Sequence, residues 1–189
     1  MVVATQLEDV FLLKTNLHND ARGSFKETFN LKTFEDYIGR RINFCQDNVS
    51  VSRRGVIRGL HYQLEPYSQS KLVSVISGKV LDIVVDIREG SPSFGRHLSQ
   101  ELSAENGFQL FIPKGFAHGY ITLSETSIFH YKVDEYYHPE SDSGIAANDN
   151  TLAINWQIPE SEWSLSEKDK NRPNFDQATL FNYKTDLYG

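Results

Sequence analysis

Four stretches of this sequence carry residue types able to move protons or hold an anion. The first is Gly55-Val56-Ile57-Arg58-Gly59-Leu60-His61-Tyr62-Gln63, with Lys71 eight residues further on. Extended, its period of two places Ile57, Gly59, His61 and Gln63 on one face and Arg58, Leu60 and Tyr62 on the other. A glycine beside a histidine on a strand face leaves room for something to approach the ring. Lys71 opens the apolar run Lys71-Leu72-Val73-Ser74-Val75-Ile76, and a short connection would fold it back toward His61, so that a base and a cation share one cavity. The alternative is a hydrogen-bonded core histidine and a solvated lysine, since histidine is intermediate in its preference for burial.

The second stretch is Phe111-Ile112-Pro113-Lys114-Gly115-Phe116-Ala117-His118-Gly119-Tyr120, where Pro-Lys-Gly reads as a turn that sets His118 just inside the start of a strand. In the third, Phe129-His130-Tyr131-Lys132-Val133-Asp134-Glu135-Tyr136-Tyr137-His138-Pro139, Tyr131 alternates with His130 and Lys132, and Tyr137 lies near the strand end. Half-buried cross-strand packing is the commoner role for such tyrosines. The fourth is the polar segment Leu165-Ser166-Glu167-Lys168-Asp169, whose carboxylate could orient a histidine.

Positioning these groups falls mainly to strands. Extended segments are predicted at 8–13, 25–29, 42–51, 57–63, 71–76, 79–87, 97–102, 108–112, 119–123 and 127–134. In 79–87 the residues Leu81, Ile83, Val85 and Ile87 form an apolar face, with Asp82 and Asp86 on the other alongside Val80 and Val84. Helix is expected only at 32–38, where Phe34 and Ile38 are four apart, and as a short turn near 159–162. Strand spacings of about 8 to 12 residues, punctuated by glycine, proline and serine, mark an all-β sandwich or barrel. With no repeat, low-complexity tract or linker, residues 1–189 are expected to form one domain, and a tail bearing Phe175, Leu180, Phe181 and Tyr183 is expected to dock.

A chain of 189 residues is long enough for a sizeable core. Its net charge of −6 argues against a broad nucleic-acid-binding surface but leaves room for a phosphorylated small molecule held by gathered arginines and lysines. No apolar run approaches the roughly 20 residues needed to cross a bilayer, and the first residues lack the basic region of a secretory signal. The single cysteine, Cys45, rules out an internal disulfide framework, points to a cytoplasmic home, and is expected to be a small buried hydrophobe beside Phe44.

Taken together, Arg58-Gly59-Leu60-His61-Tyr62-Gln63, Gln46-Asp47-Asn48, the 112–118 segment, the run from Tyr131 to Pro139 and Ser166-Glu167-Lys168-Asp169 resemble the dTDP-4-dehydrorhamnose 3,5-epimerase family, in order and spacing, from about Val10 to Asp169. The resemblance implies a cupin-type β jelly roll with a few short peripheral helices, usually a homodimer, working without metal or organic cofactor in dTDP-rhamnose biosynthesis. The implied substrate is dTDP-4-dehydro-6-deoxy-D-glucose, inverted at C3 and C5. His61 then resembles the base with Asp169 behind it, Tyr131 the proton donor, and Lys71 the cation near the C4 oxygen. Asp82 would support His61 or Lys71, or be a plain surface aspartate. Arg22, Phe25 and Glu27 match nucleotide contacts across a dimer interface, with Phe25 stacking on the pyrimidine or packing in a core. Gln46, Asp47 and Asn48 match a binding triplet, Arg58 the diphosphate ligand, His118 and Lys168 further contacts, and Tyr137 the aromatic lining the sugar pocket.

The chain departs from that pattern at two places. Asp142 stands where the family commonly has glutamate, one methylene longer, so that its contact is expected to need a water. Ala147 stands in Gly144-Ile145-Ala146-Ala147 where a tryptophan is usual, which would loosen a pocket wall. Three rival readings remain: a metal-dependent cupin, a related epimerase inverting one carbon or acting on another nucleotide ketosugar, and a non-catalytic sugar- or nucleotide-binding jelly roll. The motif His61-Tyr62-Gln63 is not His-x-His and has no glutamate three or four residues on, which weakens the metal reading. The joint presence of His61, Asp169, Tyr131 and Lys71 weakens the non-catalytic one.

Overall fold

The computed structural model describes residues 2–189. Its strands are β1 (Val2–Ala4), β2 (Phe11–Lys14), β3 (Leu17–Asp20), β4 (Gly23–Lys26), β5 (Gln46–Arg53), β6 (Ile57–Gln63), β7 (Lys71–Ser77), β8 (Lys79–Asp86), β9 (Arg88–Glu89), β10 (His97–Ser103), β11 (Phe108–Ile112), β12 (Phe116–Thr122), β13 (Thr126–Val133), β14 (Asp142–Gly144) and β15 (Phe181–Asn182). Helix is confined to α1 (Leu31–Ile38), α2 (Glu167–Lys170) and single 3-10 turns at Glu160–Glu162 and Phe175–Gln177. Two antiparallel sheets face each other, ordered β1-β2-β11-β7-β13-β5 and β10-β8-β12-β6-β14. Beside them lie the hairpin β3–β4 and a short parallel pair, β9–β15. The architecture is the expected all-β, cupin-type jelly roll.

Strand alternation decides what fills each layer. On β8, Val80 and Val84 point between the sheets to meet Val73, Val75, Leu110, Tyr120 and Phe129. Leu81, Ile83 and Val85 point outward, where Ile145, Trp156, Ile158, Phe175 and Phe181 cover them. The tail therefore docks as expected, with Phe181 edge-on to Tyr62. A smaller cluster holds Phe34 of α1 against Leu13, Ile42, Leu72 and Phe111. α1 begins where the Asn30 side chain accepts the Thr33 N–H at 3.2 Å, and it ends at Gly39, left-handed at φ +74°.

Two sequence expectations give way at β5 and β6. The 42–51 segment is a strand only from Gln46, and Cys45 before it is exposed rather than buried, its thiol donating to the Val133 carbonyl at 3.6 Å. On β6 the period of two is broken: His61 pairs with His118, but Arg58 pairs with Tyr120, so three steps on β6 match two on β12. This bulge places Ile57, Leu60 and Tyr62 together in the outer core. Arg58 moves to the inner side with His61, where its Nε donates to Ser52 Oγ of β5 at 3.1 Å. Two glycines permit the irregularity. A methyl group on Gly59, at φ +128°, would come within 2.4 Å of Gly119 Cα and 2.7 Å of the His118 carbonyl oxygen.

Gly59→Ala is accordingly expected to cost more than about 1 kcal/mol of stability, since the clash is with backbone and the conformation disfavours any side chain. Urea unfolding measures it; a midpoint equal to the wild type's would refute the close approach of β6 and β12.

Candidate active site

The interior between the sheets opens into a cavity of about 610 Å³ at the β6–β14 end, a size that suits a small ligand. His61 enters it from β6, in the five-stranded sheet, and Tyr131 from β13, in the six-stranded sheet opposite. The two side chains thus line one hollow from facing sheets. Lys71, at the start of β7, reaches the same space, with its Nζ 3.5 Å from the His61 carbonyl oxygen.

Behind His61 stands Asp169. Ser166 caps α2, its Oγ accepting the Asp169 N–H at 3.1 Å and donating to Asp169 Oδ2 at 2.9 Å. This leaves Oδ1 for His61 Nε2 at 2.5 Å. Burial pushes the Asp169 carboxyl up, but the hydrogen bonds from His61 and Ser166 and the nearby charges outweigh it and hold the group below the usual carboxylate range. An ionised carboxylate only accepts, so His61 carries its proton on Nε2 and Nδ1 is left as the basic nitrogen.

Burial acts on the other groups with the sign of their charge. It pulls the Lys71 ammonium down to about 8, against the attraction of Asp142 and Asp82. It pushes the Tyr131 phenol up, assisted by Tyr120 and opposed by Arg58. Asp82 is wholly buried, which excludes the surface reading; its oxygens lie 2.9 and 3.0 Å from His118 Nε2, so it supports His118 and, through its charge, Lys71, rather than His61. Burial raises Asp82 and lowers His118, disfavouring the charged form of each.

At the mouth, Asp142 accepts from Lys168 Nζ at 2.6 Å and from Arg172. Burial raises the Asp142 carboxyl, but those two cations override it and hold the group low. The shorter side chain thus meets both cations directly. Lys168 also donates to the Tyr137 hydroxyl at 3.3 Å. Arg58 and His118 line the cavity as well.

Other anticipated residues lie elsewhere. Asp47 sits on the outer side of the edge strand β5 and pairs with Lys132 Nζ at 2.8 Å, because alternation turns it away from its neighbours. Gln46 and Asn48 face inward and bond each other at 2.8 Å, yet Ser50 is the β5 residue that lines the cavity. Arg22, Phe25 and Glu27 belong to the β3–β4 hairpin and its exit; Arg22 pairs with Asp20, and Phe25 is 71% exposed. Phe25 and Glu27 border a separate hollow of about 360 Å³ with His18 and Tyr37. Ala147 is buried in the outer core, where Trp156 Nε1 donates to its carbonyl at 2.8 Å, so it is no part of the cavity wall. Sequence reasoning passed over Ser50, Gln69, Tyr120 and Arg172, all of them cavity-lining. None of these has a local spacing signal of the kind Ser166 has in the fourth stretch, the Ser-x-x-Asp of a helix cap.

A cavity that gathers an Asp-backed histidine, a facing phenol and a half-buried lysine between the sheets of a jelly roll has the groups that proton transfer needs. The family model described as dTDP-4-dehydrorhamnose 3,5-epimerase matches residues 4–177, and the chain belongs to that isomerase family. The dTDP-4-dehydrorhamnose 3,5-epimerase of Shigella flexneri is 46% identical over 180 residues, covering 95% of this chain and 98% of the relative. The crystal structure of dTDP-6-deoxy-D-glucose-3,5-epimerase from Legionella pneumophila Philadelphia 1, in complex with dTDP-4-keto-L-rhamnose, superposes with a TM-score of 0.94 at 42% identity, covering 98% and 99% of the two chains. A 3'-monoepimerase from Streptomyces bikiniensis, in complex with dTDP-quinovose, gives 0.85 at 31% identity over 91% and 86%.

Lys71 supplies a pH prediction. Burial lets the native state release the Lys71 proton at about 8, whereas the unfolded chain holds it to its ordinary value of 10.5, so the unfolded state binds the proton more tightly. The stability of the wild type minus that of Lys71→Met should therefore rise as pH climbs from about 8 toward 10.5 and be flat below that window. Denaturant unfolding of both proteins across the range checks this; a flat difference throughout would contradict the burial of Lys71.

Proposed function

We propose that this chain inverts C3 and C5 of dTDP-4-dehydro-6-deoxy-D-glucose, with His61 as base, Tyr131 as acid and Lys71 at the developing oxyanion. The observation that carries the reading is that His61 and Tyr131 enter one cavity from opposing sheets. Both carbons flank the C4 ketone. His61 Nδ1 takes the proton, the C–H electrons move into the ring C=C bond, and the C4 oxygen becomes an enolate oxygen. Tyr131 then gives its proton to the same carbon from the other face, the enolate collapses to the ketone, and the configuration is inverted. A positioned base of this kind is worth about 10²–10⁴-fold in rate. Asp169 offsets the imidazolium charge, and a preorganised Lys71 at the enolate oxygen supplies about 3–4 kcal/mol of stabilisation.

Arg58, His118, Tyr137, Asp142 and Lys168 surround the space left for the sugar and diphosphate. The exposed Arg22, Phe25 and Glu27 serve a neighbouring subunit's site in this reading. A homodimer is supported by Phe25 on its projecting hairpin and by the outer face of the six-stranded sheet, where Val49, Val51 and Ile76 are 60%, 67% and 54% exposed. One domain spanning 1–189 and a cytoplasmic location complete the proposal; the lone thiol of Cys45 fits such a compartment. Among the described residues no helix is long and apolar enough to cross a membrane.

Incubation with the substrate in deuterated water, followed by NMR and mass analysis, should place label at both C3 and C5. Label at one carbon would establish the single-carbon epimerase instead. His61→Asn should lose exchange at both positions by about 10²-fold or more while dTDP affinity changes little. Tyr131→Phe should impair product formation more than proton loss, and equal impairment would argue against a separate donor.

Shared sites predict complementation. Arg22→Ala and His61→Asn, each inactive alone, should regain part of the activity when mixed and allowed to exchange subunits, because one site of the heterodimer is then intact. A stable active monomer in sedimentation, or mixtures that stay inactive, would overturn the shared arrangement.

A further inference from the structure

Arg172 has no part in the roles assigned so far. Its side chain is 9% exposed and lines the cavity within the same wall as His61 and Asp169. The Nη2 group donates to Asp142 Oδ2, Nη1 donates to the Asp142 main-chain carbonyl at 3.4 Å, and the Arg172 backbone N–H returns to the Asp169 carbonyl at 3.4 Å. The side chain packs over Gly144, where a methyl group would come within 2.8 Å of Arg172 Nε and 3.0 Å of Cδ. Gly144 is itself the partner of His61 in the β6–β14 register. Arg172 Nε is buried without a hydrogen-bond acceptor, so the guanidinium is anchored from its Nη end alone. A buried cation thus sits beside His61 and Asp169, tied by its side chain to the Asp142 carboxylate and by its main chain to the Asp169 main-chain carbonyl.

We propose that Arg172 is a positioning residue for the epimerisation: it clamps β14 to the segment following α2 and supplies a fixed positive charge behind the His61–Asp169 pair. The inference rests on the reaction proposed above. Two effects follow. The clamp keeps α2, and hence Asp169, at hydrogen-bond distance from His61. The charge adds to the forces that hold Asp169 ionised. The other charged or titratable groups around His61 are Arg58 on its own strand, Lys71 on β7, His118 and Tyr120 on β12, Tyr131 on β13, Tyr137 between β13 and β14, Asp142 on β14 and Lys168 on α2, with Asp82 of β8 held behind His118. With Arg172 neutralised, Asp142 and Asp169 lose a shared counter-charge, and the field at His61 becomes more negative. The proton that must leave before turnover is then held more tightly.

The test is the pH dependence of kcat/KM for the full chain, as wild type, Arg172→Gln and Arg172→Lys, with deuterium incorporation as readout. In Arg172→Gln the acid limb should move to higher pH by about half a unit or more. Its kcat should fall by about 10–10²-fold through lost orientation. Arg172→Lys, which keeps the charge, should retain the wild-type limb. An Arg172→Gln enzyme whose limb has not moved would overturn the proposal even if its stability or kcat were reduced, since a mere packing role predicts that outcome. A displaced limb in Arg172→Lys would overturn it too. Should the Gln variant not fold, Arg172→Met, which keeps an apolar stem over Gly144, is read by the same criterion. Wild-type protein that incorporates no label would defeat the reaction proposed above, whereas active wild type with an unmoved Arg172→Gln limb defeats only the role of Arg172.

Discussion

The bond between His61 and Asp169 depends on a carboxylate removed from water and compensated by donors from its own chain. Such a group costs several kcal/mol unless its oxygens are occupied. Asp169 meets the requirement by using the Ser166 cap for one oxygen and the imidazole for the other. The donor that satisfies the carboxylate is therefore also the base of the proposed reaction, and its tautomer is fixed by the same contact. Three further aspartates obey the same constraint. Asp82 is matched by His118, Asp142 by Lys168 and Arg172, and Asp86 by Arg88, Ser91 and Ser93. All but Asp86 have cavity-lining partners, so satisfying buried acids and furnishing the cavity with titratable groups amount to the same arrangement of side chains.

Two sheets are needed because a planar carbon must be approached from both faces. One strand can present groups only to one side of a ligand lying on it. In the jelly roll, β6 supplies His61 and Arg58 from one layer while β13 supplies Tyr131 from the other. The bulge between β6 and β12 brings Arg58 and His61 to the same side although they are three residues apart. Gly59 and Gly119 let the backbones come close enough for that shift, which brings a local irregularity of the sheet to bear on how Arg58 and His61 share the cavity.

Much of this layout was legible in the sequence. Period-two patterning located β6, β7, β8 and β10 to within a residue at most ends, and placed Asp82 and Asp86 on the face opposite Leu81 and Ile83. The family motifs named the groups that converge on the cavity, His61, Lys71, Tyr131, Asp169, Arg58 and His118 among them. What escaped were features set by non-local contacts. No pattern within 57–63 announces the extra residue, since the misfit exists only against β12. Asp47 looked equivalent to Gln46 and Asn48 as part of a triplet, whereas strand alternation sends it to the other side. Arg172 lies beyond the end of α2 and meets Asp142 thirty residues earlier in the chain, a pairing that local spacing cannot encode.

Desolvation also accounts for the division of labour among the proton-handling groups. The same loss of water destabilises the charged form of every residue, but that form is the cation for lysine and the anion for tyrosine. Lys71, drawn down to about 8, is still mainly an ammonium near neutrality, yet it is close enough to titration to be sensitive to a developing oxyanion. Tyr131, pushed upward, stays a phenol and keeps the proton that the proposed reaction asks of it. Asp169 resists the trend because its hydrogen bonds outweigh its burial, so the one group required as an anion remains one. An alkaline shift through about 8 would discharge Lys71 while leaving Tyr131 protonated, which separates loss of the oxyanion contact from loss of the donor. One cavity can thus hold an ammonium, a phenol and a carboxylate side by side, because each differs in how many bonds oppose its burial.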